Sequence, residues 1–294
     1  MTALLAYERF MRIAYQGEPG AFSEAAARRV DAEAQLVPCR SFDEVFDAVD
    51  AGPASYGVVP IENSIGGSIH RNYDLLLAHE LSIVGEVELP VVHHLLALPG
   101  ATLEGLKRVY SHPQGLAQCE RFLRSLKNVE VIATYDTAGS AKMVADGGAI
   151  DAAAIASARA GDVFGLHALA SSIQDFDDNI TRFLVIGRRP FGNSVPDKTT
   201  IVFTVPNEPG ALFKALSVFA LRGVDLTKLE SRPIPGRPWE YLFYADLAAA
   251  RDTLTCARAL SHLAEFAPTL RTLGSYPSWK PAASRMPDPF EVVS

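Results

Sequence analysis

The chain has 294 residues, 48% hydrophobic and 21% charged, with 34 acidic side chains against 27 basic ones and a formal net charge of −7. This is the composition of a globular protein with room for two domains. The acidic balance argues against a nucleic-acid or membrane-surface partner, since both favour a basic face.

An anionic substrate would therefore have to be held by a few local cations and backbone N–H groups. Three cysteines, Cys39, Cys119 and Cys256, are scattered and odd in number. They form no disulfide framework or CxxC metal site, and a cytoplasmic location is expected. No apolar run approaches transmembrane length. Residues 1–10 lack the layout of a secretory signal and read as an unstructured upstream extension.

In chain order, residues 12–15 read as a short buried strand, 16–20 as a turn and 22–30 as an Ala-rich helix. Phe42, Val45, Phe46 and Val49 fall at helical spacing behind Ser41, a plausible N-cap, so a second helix is expected over 42–51. A strand at 56–60 runs into a polar loop over 61–68, and a helix follows near 70–77. Strand and helix signals then alternate at 81–89, 91–98, 108–111, 116–126, 129–134, 137–146 and 152–156, closing with a strand at 179–187. Such alternation means an α/β region, though periodicity cannot decide between one sheet and two lobes. Residues 189–197 have the Pro/Gly/Asn/Ser composition of a linker. Beyond it the signals read strand (199–205), helix (211–222), hairpin (224–231 and 239–247), helix (252–266) and strand (269–276). That βαββαβ order is ferredoxin-like α+β, and the Pro-rich residues after Pro277 read as a loose tail.

Chemistry concentrates in loops. Residues 17–23 join a strand to a helix start, where free N–H groups favour a carboxylate, but on these residues alone an ordinary βα turn is the better reading. In 60–68, Glu62, Asn63 and Ser64 stand beside paired glycines, a density of polar groups that favours a site. Glu62 could orient a hydroxyl or relay a proton. Alternation on the last strand would put Asn179, Thr181 and Phe183 on one face and Ile180, Arg182 and Leu184 on the other. Arg182 could grip a substrate carboxylate or sit in a structural ion pair. His112 could be an acid or base, although a lone histidine before a proline is more often a turn residue, and His93-His94 has no third ligand at useful spacing for a metal. No nucleotide-binding glycine motif or serine-hydrolase elbow is present.

Taken in order, 17–23, Pro60-Ile61-Glu62-Asn63-Ser64, His112-Pro113-Gln114 and Thr181-Arg182-Phe183 resemble the prephenate dehydratase family. The segment beyond the linker is similar to an ACT domain, with Asn207-Glu208-Pro209-Gly210-Ala211-Leu212 and Glu230-Ser231-Arg232-Pro233 as the two phenylalanine-binding motifs. Residues 68–77 look like the plant-type arogenate dehydratases. The resemblance implies a catalytic region over 11–190 with two lobes hinged like a periplasmic binding protein, an ACT domain over 198–276 and a tail over 277–294.

It also implies the reaction, loss of carbon dioxide and the ring hydroxyl from prephenate to give phenylpyruvate, with no cofactor and no metal. Thr181 and Glu62 are then the catalytic residues, and Asn63, Ser64, Gln114, Asn179, Arg182 and Phe183 contact substrate. Phenylalanine is the expected effector, held by Asn207, Gly210, Ala211, Leu212, Glu230 and Ser231. A homodimer or homotetramer is expected, because ACT domains bind their amino acid between copies. The first strand at Arg12 leaves no room for an N-terminal chorismate mutase bundle. Arogenate as substrate, and a non-catalytic ligand-binding module, are the rival readings.

Overall fold

A computed structural model describes residues 11–234 and 236–280. The extension expected at 1–10 and the tail beyond 280 lie outside the described residues. The first lobe is built from β1 (Arg12–Gln16), α1 (Phe22–Val30), β2 (Gln35–Cys39), α2 (Phe42–Asp50), β3 (Tyr56–Asn63), β4 (Gly67–Ser68), α3 (His70–Ala78) and β5 (Ser82–Pro90). The chain then crosses to a second lobe of β6 (His94–Ala97), β7 (Arg108–Ser111), α4 (Pro113–Ala117), α5 (Glu120–Ser125), β8 (Glu130–Ala133), α6 (Thr137–Gly147), β9 (Ala152–Ala156), α7 (Ala158–Phe164) and β10 (His167–Ala170). It returns through 171–179 to β11 (Ile180–Gly187), which inserts between β3 and β5. Strand orders are β2-β1-β3-β11-β5, with β4 on β3, and β10-β6-β9-β7-β8. Two crossovers therefore join two sheets, the architecture of a hinged cleft.

Local chemistry accounts for most of these elements. Ser41 caps α2 by accepting from the Glu44 N–H at 3.2 Å, and the Glu44 carboxylate reaches back past the cap to accept from the Arg40 N–H at 2.8 Å. Val45, Phe46 and Val49 on its inner face are buried, each contributing about 1.5–3 kcal/mol. Three elements had no clear sequence signal: β2, α7 and β10. Of these, β2 and β10 are edge strands, and Pro38 within β2 is tolerated there because its missing N–H faces no partner.

Two readings change. The polar loop is largely strand, since β3 runs on to Asn63 and turns back into β4 with Glu62 opposite Ser68. The helix expected over 116–126 is two short ones, α4 and α5, broken at Gln118-Cys119.

After the linker come β12 (Lys198–Thr204), α8 (Ala211–Ala220), β13 (Leu226–Ile234), β14 (Arg237–Leu247), α9 (Leu254–Ala264) and β15 (Leu270–Tyr276), in sheet order β13-β14-β12-β15. Its helices bury one face of this sheet around Phe203, Phe219 and Leu263. The other face lies on the first lobe, where Val202, Tyr244, Leu273 and Tyr276 share one core with Phe46, Leu76, Leu184 and Ile186. Residues 277–280 are not a loose tail. Ser278 N–H donates to Asp197 at 2.6 Å, Trp279 N–H donates to Glu86 at 3.1 Å, and the Arg29 guanidinium covers the Trp279 ring at 4.8 Å.

The contact between the regions is also ionic. Arg182 donates to Asp246 at 2.6 Å and to Glu86 at 3.3 Å, and Lys198 donates to Glu86 at 2.8 Å. Burial opposes ionisation of Asp246, but Arg182 and Lys198 outweigh it and hold the carboxyl below its ordinary range. Replacing Asp246 by Ala leaves Arg182 and Lys198 to share the one buried carboxylate of Glu86, and is expected to lower the unfolding free energy by about 3–5 kcal/mol in urea titration. Because the folded value is lowered, this contribution is fully present above the unfolded aspartate value of about 3.9. It fades as pH falls through the folded value, so the gap in thermal midpoint between wild type and Asp246→Ala should close in acid.

Candidate active site

The cleft between the lobes holds a cavity of about 470 Å³. Strand pairing decides what faces it. Along the antiparallel β3–β11 pair, Thr181 stands opposite Asn63 and Arg182 opposite Glu62. Because side chains alternate, Thr181, Phe183 and Asn63 line the cavity, while Arg182 and Glu62 point through the back of the sheet.

Asn63 sits at the centre. Its Oδ1 accepts from the Ile65 N–H at 3.1 Å and the Gly66 N–H at 2.7 Å, both from the turn into β4. Those backbone donors fix which end of the amide is oxygen. The Nδ2 end must then face β11, and it donates to Asn179 Oδ1 at 2.7 Å and to Thr181 Oγ1 at 2.9 Å. Thr181 is 8% exposed and borders the cavity. Since its oxygen accepts from Asn63, its own proton is left to donate into the cleft.

The second lobe supplies Gln118, which donates from Nε2 to Asn63 Oδ1 at 3.3 Å, and its Oε1 lies 2.9 Å from His93 Nε2. Gln114 and His112 line the same wall; His112 caps α4 by accepting from the Gln114 N–H at 3.2 Å. A Cβ at Gly66 would stand 2.1 Å from Gln114 Nε2, so a larger residue there would displace the end of that side chain from the wall.

The loop over 17–23, which an ordinary turn could have explained, fastens the lobes together. Glu18 N–H donates to Asp136 at 3.1 Å, and Ser157 Oγ donates to the Gly20 carbonyl at 2.6 Å. Gly20, at φ 91°, lies so close to α7 that a Cβ would stand 2.6 Å from the Ala160 Cα. Phe22 and Ser23 at the start of α1, and Thr137 at the start of α6, face the cavity. No Lys or Arg lines it among the described residues, whereas the carboxylates of Asp43 and Asp136 do. Burial pushes Asp136 above its ordinary value, and the Glu18 and Ala138 N–H groups only partly offset this. Asp43 is paired with Arg71.

Several expected site residues stand elsewhere. Glu62 is not beside Thr181; it accepts from Lys228 at 2.7 Å and Arg182 at 3.2 Å on the far side of the sheet. Arg182 takes its structural option, held in its charged form by Asp246 and Glu86 against the cost of burial. Ser64 clasps the strand ends, donating to the Asp178 carbonyl at 2.7 Å and accepting from the Ile180 N–H at 2.9 Å. Asn179 bonds Asn63 and is buried behind Thr181, and Phe183 forms part of the cavity wall.

Of the expected effector residues, Asn207 and Gly210 are exposed at the start of α8, Ala211 is buried there and Leu212 packs on the core of that domain. Glu230 and Ser231 fall on opposite faces of β13. Ser231 faces outward, whereas Glu230 accepts from Ser68 Oγ at 2.8 Å and approaches His70 at 3.1 Å, so it belongs to the contact with the first lobe rather than to an outward-facing effector site. Sequence reading missed Gln118, His93 and Asp136. The one available signal was Gln118 four residues after Gln114, one helical turn along.

Residues 13–191 match the family description for prephenate dehydratase, and residues 199–261 that for the ACT domain. The chain is 51% identical over 278 residues to arogenate dehydratase/prephenate dehydratase 2, chloroplastic, of Arabidopsis thaliana, covering 91% of this chain and 73% of the relative. Prephenate dehydratase from Arthrobacter aurescens in complex with L-Phe superposes with a TM-score of 0.83 at 34% identity, covering 91% of this chain and 90% of that one. GqqA, described as a novel type of quorum quenching acylase, also superposes with a TM-score of 0.83, at 36% identity and covering 91% of this chain and 98% of that one.

Asn63→Leu removes the acceptor for two N–H groups of the exposed turn and the donor to the buried Asn179 Oδ1; leaving that buried oxygen unpaired is expected to cost roughly 1–3 kcal/mol in equilibrium urea unfolding. Glu62→Gln alters a half-exposed pair and should cost under about 1 kcal/mol.

Proposed function

Because the chain belongs to the prephenate dehydratase family, we propose that its cleft converts prephenate to phenylpyruvate, water and carbon dioxide, under control of phenylalanine through the ACT domain. The observation that carries this reading is the directed bond from Asn63 Nδ2 to Thr181 Oγ1 at 2.9 Å. A threonine hydroxyl is far too weak an acid to stand ionised, but with its oxygen already engaged it is a pre-aimed donor. It hydrogen-bonds the C4 oxygen as the C–O bond breaks; the ring carboxylate leaves as carbon dioxide, the electron pair of its C–C bond completes the aromatic ring, and the departing hydroxide takes one proton from solvent to become water. Aromatisation supplies the driving force. The protein's part is to steady charge developing on the departing oxygen, where one well-placed donor is worth about 10²–10³ in rate.

The rest of the cavity suits a small dianion with an apolar ring. Phe22, Phe42 and Phe183 give it aromatic walls. The start of α1, which has no side-chain cap, offers free N–H groups that favour a carboxylate where Lys and Arg are missing among the lining residues. Acyl transfer, by contrast, needs a base that takes the nucleophile's proton. Thr181 Oγ1 faces an amide donor instead, and His93 is engaged by Gln118. Arogenate is the second reading, supported by the Asp43 and Asp136 carboxylates, which could accept from its ammonium group.

Around the effector motifs, Phe213, Leu229, Trp239 and Tyr241 are exposed apolar side chains. They support a homo-oligomer joined through ACT domains, with phenylalanine between Asn207, Gly210 and Ala211 of one copy and the facing strand of another. Cytoplasmic location rests on three free, buried cysteines, with Cys119 pushed up to about 12 by burial. The plant relative, by its printed name, is chloroplastic.

Purified protein assayed separately with prephenate and arogenate is expected to turn over prephenate faster; faster turnover of arogenate selects the second reading. Thr181→Val and Asn63→Asp, the latter offering Thr181 an acceptor in place of a donor, should each lower kcat by about 10²–10³. Near-normal turnover in Thr181→Val sinks the assignment. Titration calorimetry should show phenylalanine binding, and its absence removes the sensing role.

A further inference from the structure

We infer that His93 is a positioning residue for the proposed dehydration: as the neutral Nε2–H tautomer, it holds the Gln118 amide so that its N–H groups face Asn63 and the cavity. The inference rests on the proposed reaction for its purpose, but its structural content can be measured without it.

The Ile65 and Gly66 N–H groups fix Asn63 Oδ1 as an acceptor. The Gln118 atom 3.3 Å from that oxygen must therefore be nitrogen, which puts Gln118 Oε1 2.9 Å from His93 Nε2. An amide oxygen only accepts, so His93 Nε2 carries the proton. The other tautomer would turn the Gln118 amide and set its oxygen against Asn63 Oδ1, losing two hydrogen bonds at once.

The imidazole is also held in place. Its backbone N–H donates to Gln174 Oε1 at 3.1 Å, its carbonyl accepts from the Ile173 N–H at 3.0 Å, and the Phe22 ring meets it edge-on at 5.5 Å. Both lobe crossovers thus converge on this residue. Burial keeps it below the ordinary histidine value, with neighbouring His94 adding to the effect, and its Nδ1 has no partner among the described residues. A ring whose second nitrogen bonds nothing is a poor shuttle but a well-defined one-point donor. Gln118 belongs to the second lobe and Asn63 to the first, so the amide that His93 aims is the one that reaches across the cleft beside Thr181.

Two measurements test this. Nitrogen-15 spectra of histidine-labelled wild-type protein at neutral pH should show His93 as the Nε2–H tautomer; an Nδ1–H or doubly protonated ring overturns the inference, whatever the protein catalyses. In steady-state kinetics, His93→Gln, which can place an amide nitrogen where Nε2 was, should keep kcat within about threefold. His93→Asn, which reaches only the Nδ1 position, and His93→Phe, which has no donor, should lower kcat by on the order of tenfold, the worth of about one hydrogen bond, with KM little changed. Asn performing as well as Gln, or Phe retaining wild-type kcat, overturns it. Circular dichroism identifies any variant that fails to fold, and the wild-type spectrum then decides. A wild type that turns over neither substrate refutes the dehydratase reading, while the tautomer still answers for His93.

Discussion

The pairing of β3 with β11 is the constraint on which the rest of the molecule depends. One register sets Asn63 against Thr181 and Glu62 against Arg182. Because a strand turns successive side chains to opposite faces, that register makes one surface a wall of the cleft and the other a docking surface for the ACT domain. A slip by one residue would exchange the two sets completely. Bonds on both faces oppose such a slip: the Asn63 amide in front, the Arg182 and Lys228 ion pairs behind, and Ser64 closing the strand ends.

This also explains what could be read in the residues and what could not. The alternation of Thr181 and Phe183 against Arg182 was legible, because period-two geometry follows from the backbone alone. The βα alternation and the βαββαβ order were legible for the same reason. Which of the neighbours Glu62 and Asn63 faced the cleft was not, because a motif fixes neighbours in sequence while only the pairing fixes sides. Glu62 looked catalytic by residue type, yet lies among cations on the far face. Gln118 and His93 were harder still. One sits at a break between short helices and the other in a crossover, and their significance arises only when folding brings Gln118 to Asn63, 55 residues away in sequence.

The cavity works with few charges. An acidic protein with no cation among the described lining residues has to recognise an anion through backbone N–H groups, hydroxyls and amides. Such groups cost less to bury than ions and need not change protonation during turnover. Their weakness is orientation, since an amide or hydroxyl pointing the wrong way repels what it should attract. The network from the β3–β4 turn through Asn63 settles that orientation before any substrate arrives.

The ionic seam behind the sheet bears on how such proteins can be rearranged. Arg182 comes from β11, Glu86 from its neighbour β5, and Lys198 and Asp246 from the ACT sheet. A catalytic half cut free of its sensor would carry a guanidinium and a carboxylate onto a newly wetted surface, beside the apolar residues that Tyr244 and Tyr276 had covered. Grafting a foreign sensor, or deleting the native one, would thus demand matched changes on β11, the strand that carries Thr181. The halves are modular in chain order but not in space, and their histories should be tied together at positions 86, 182, 198 and 246.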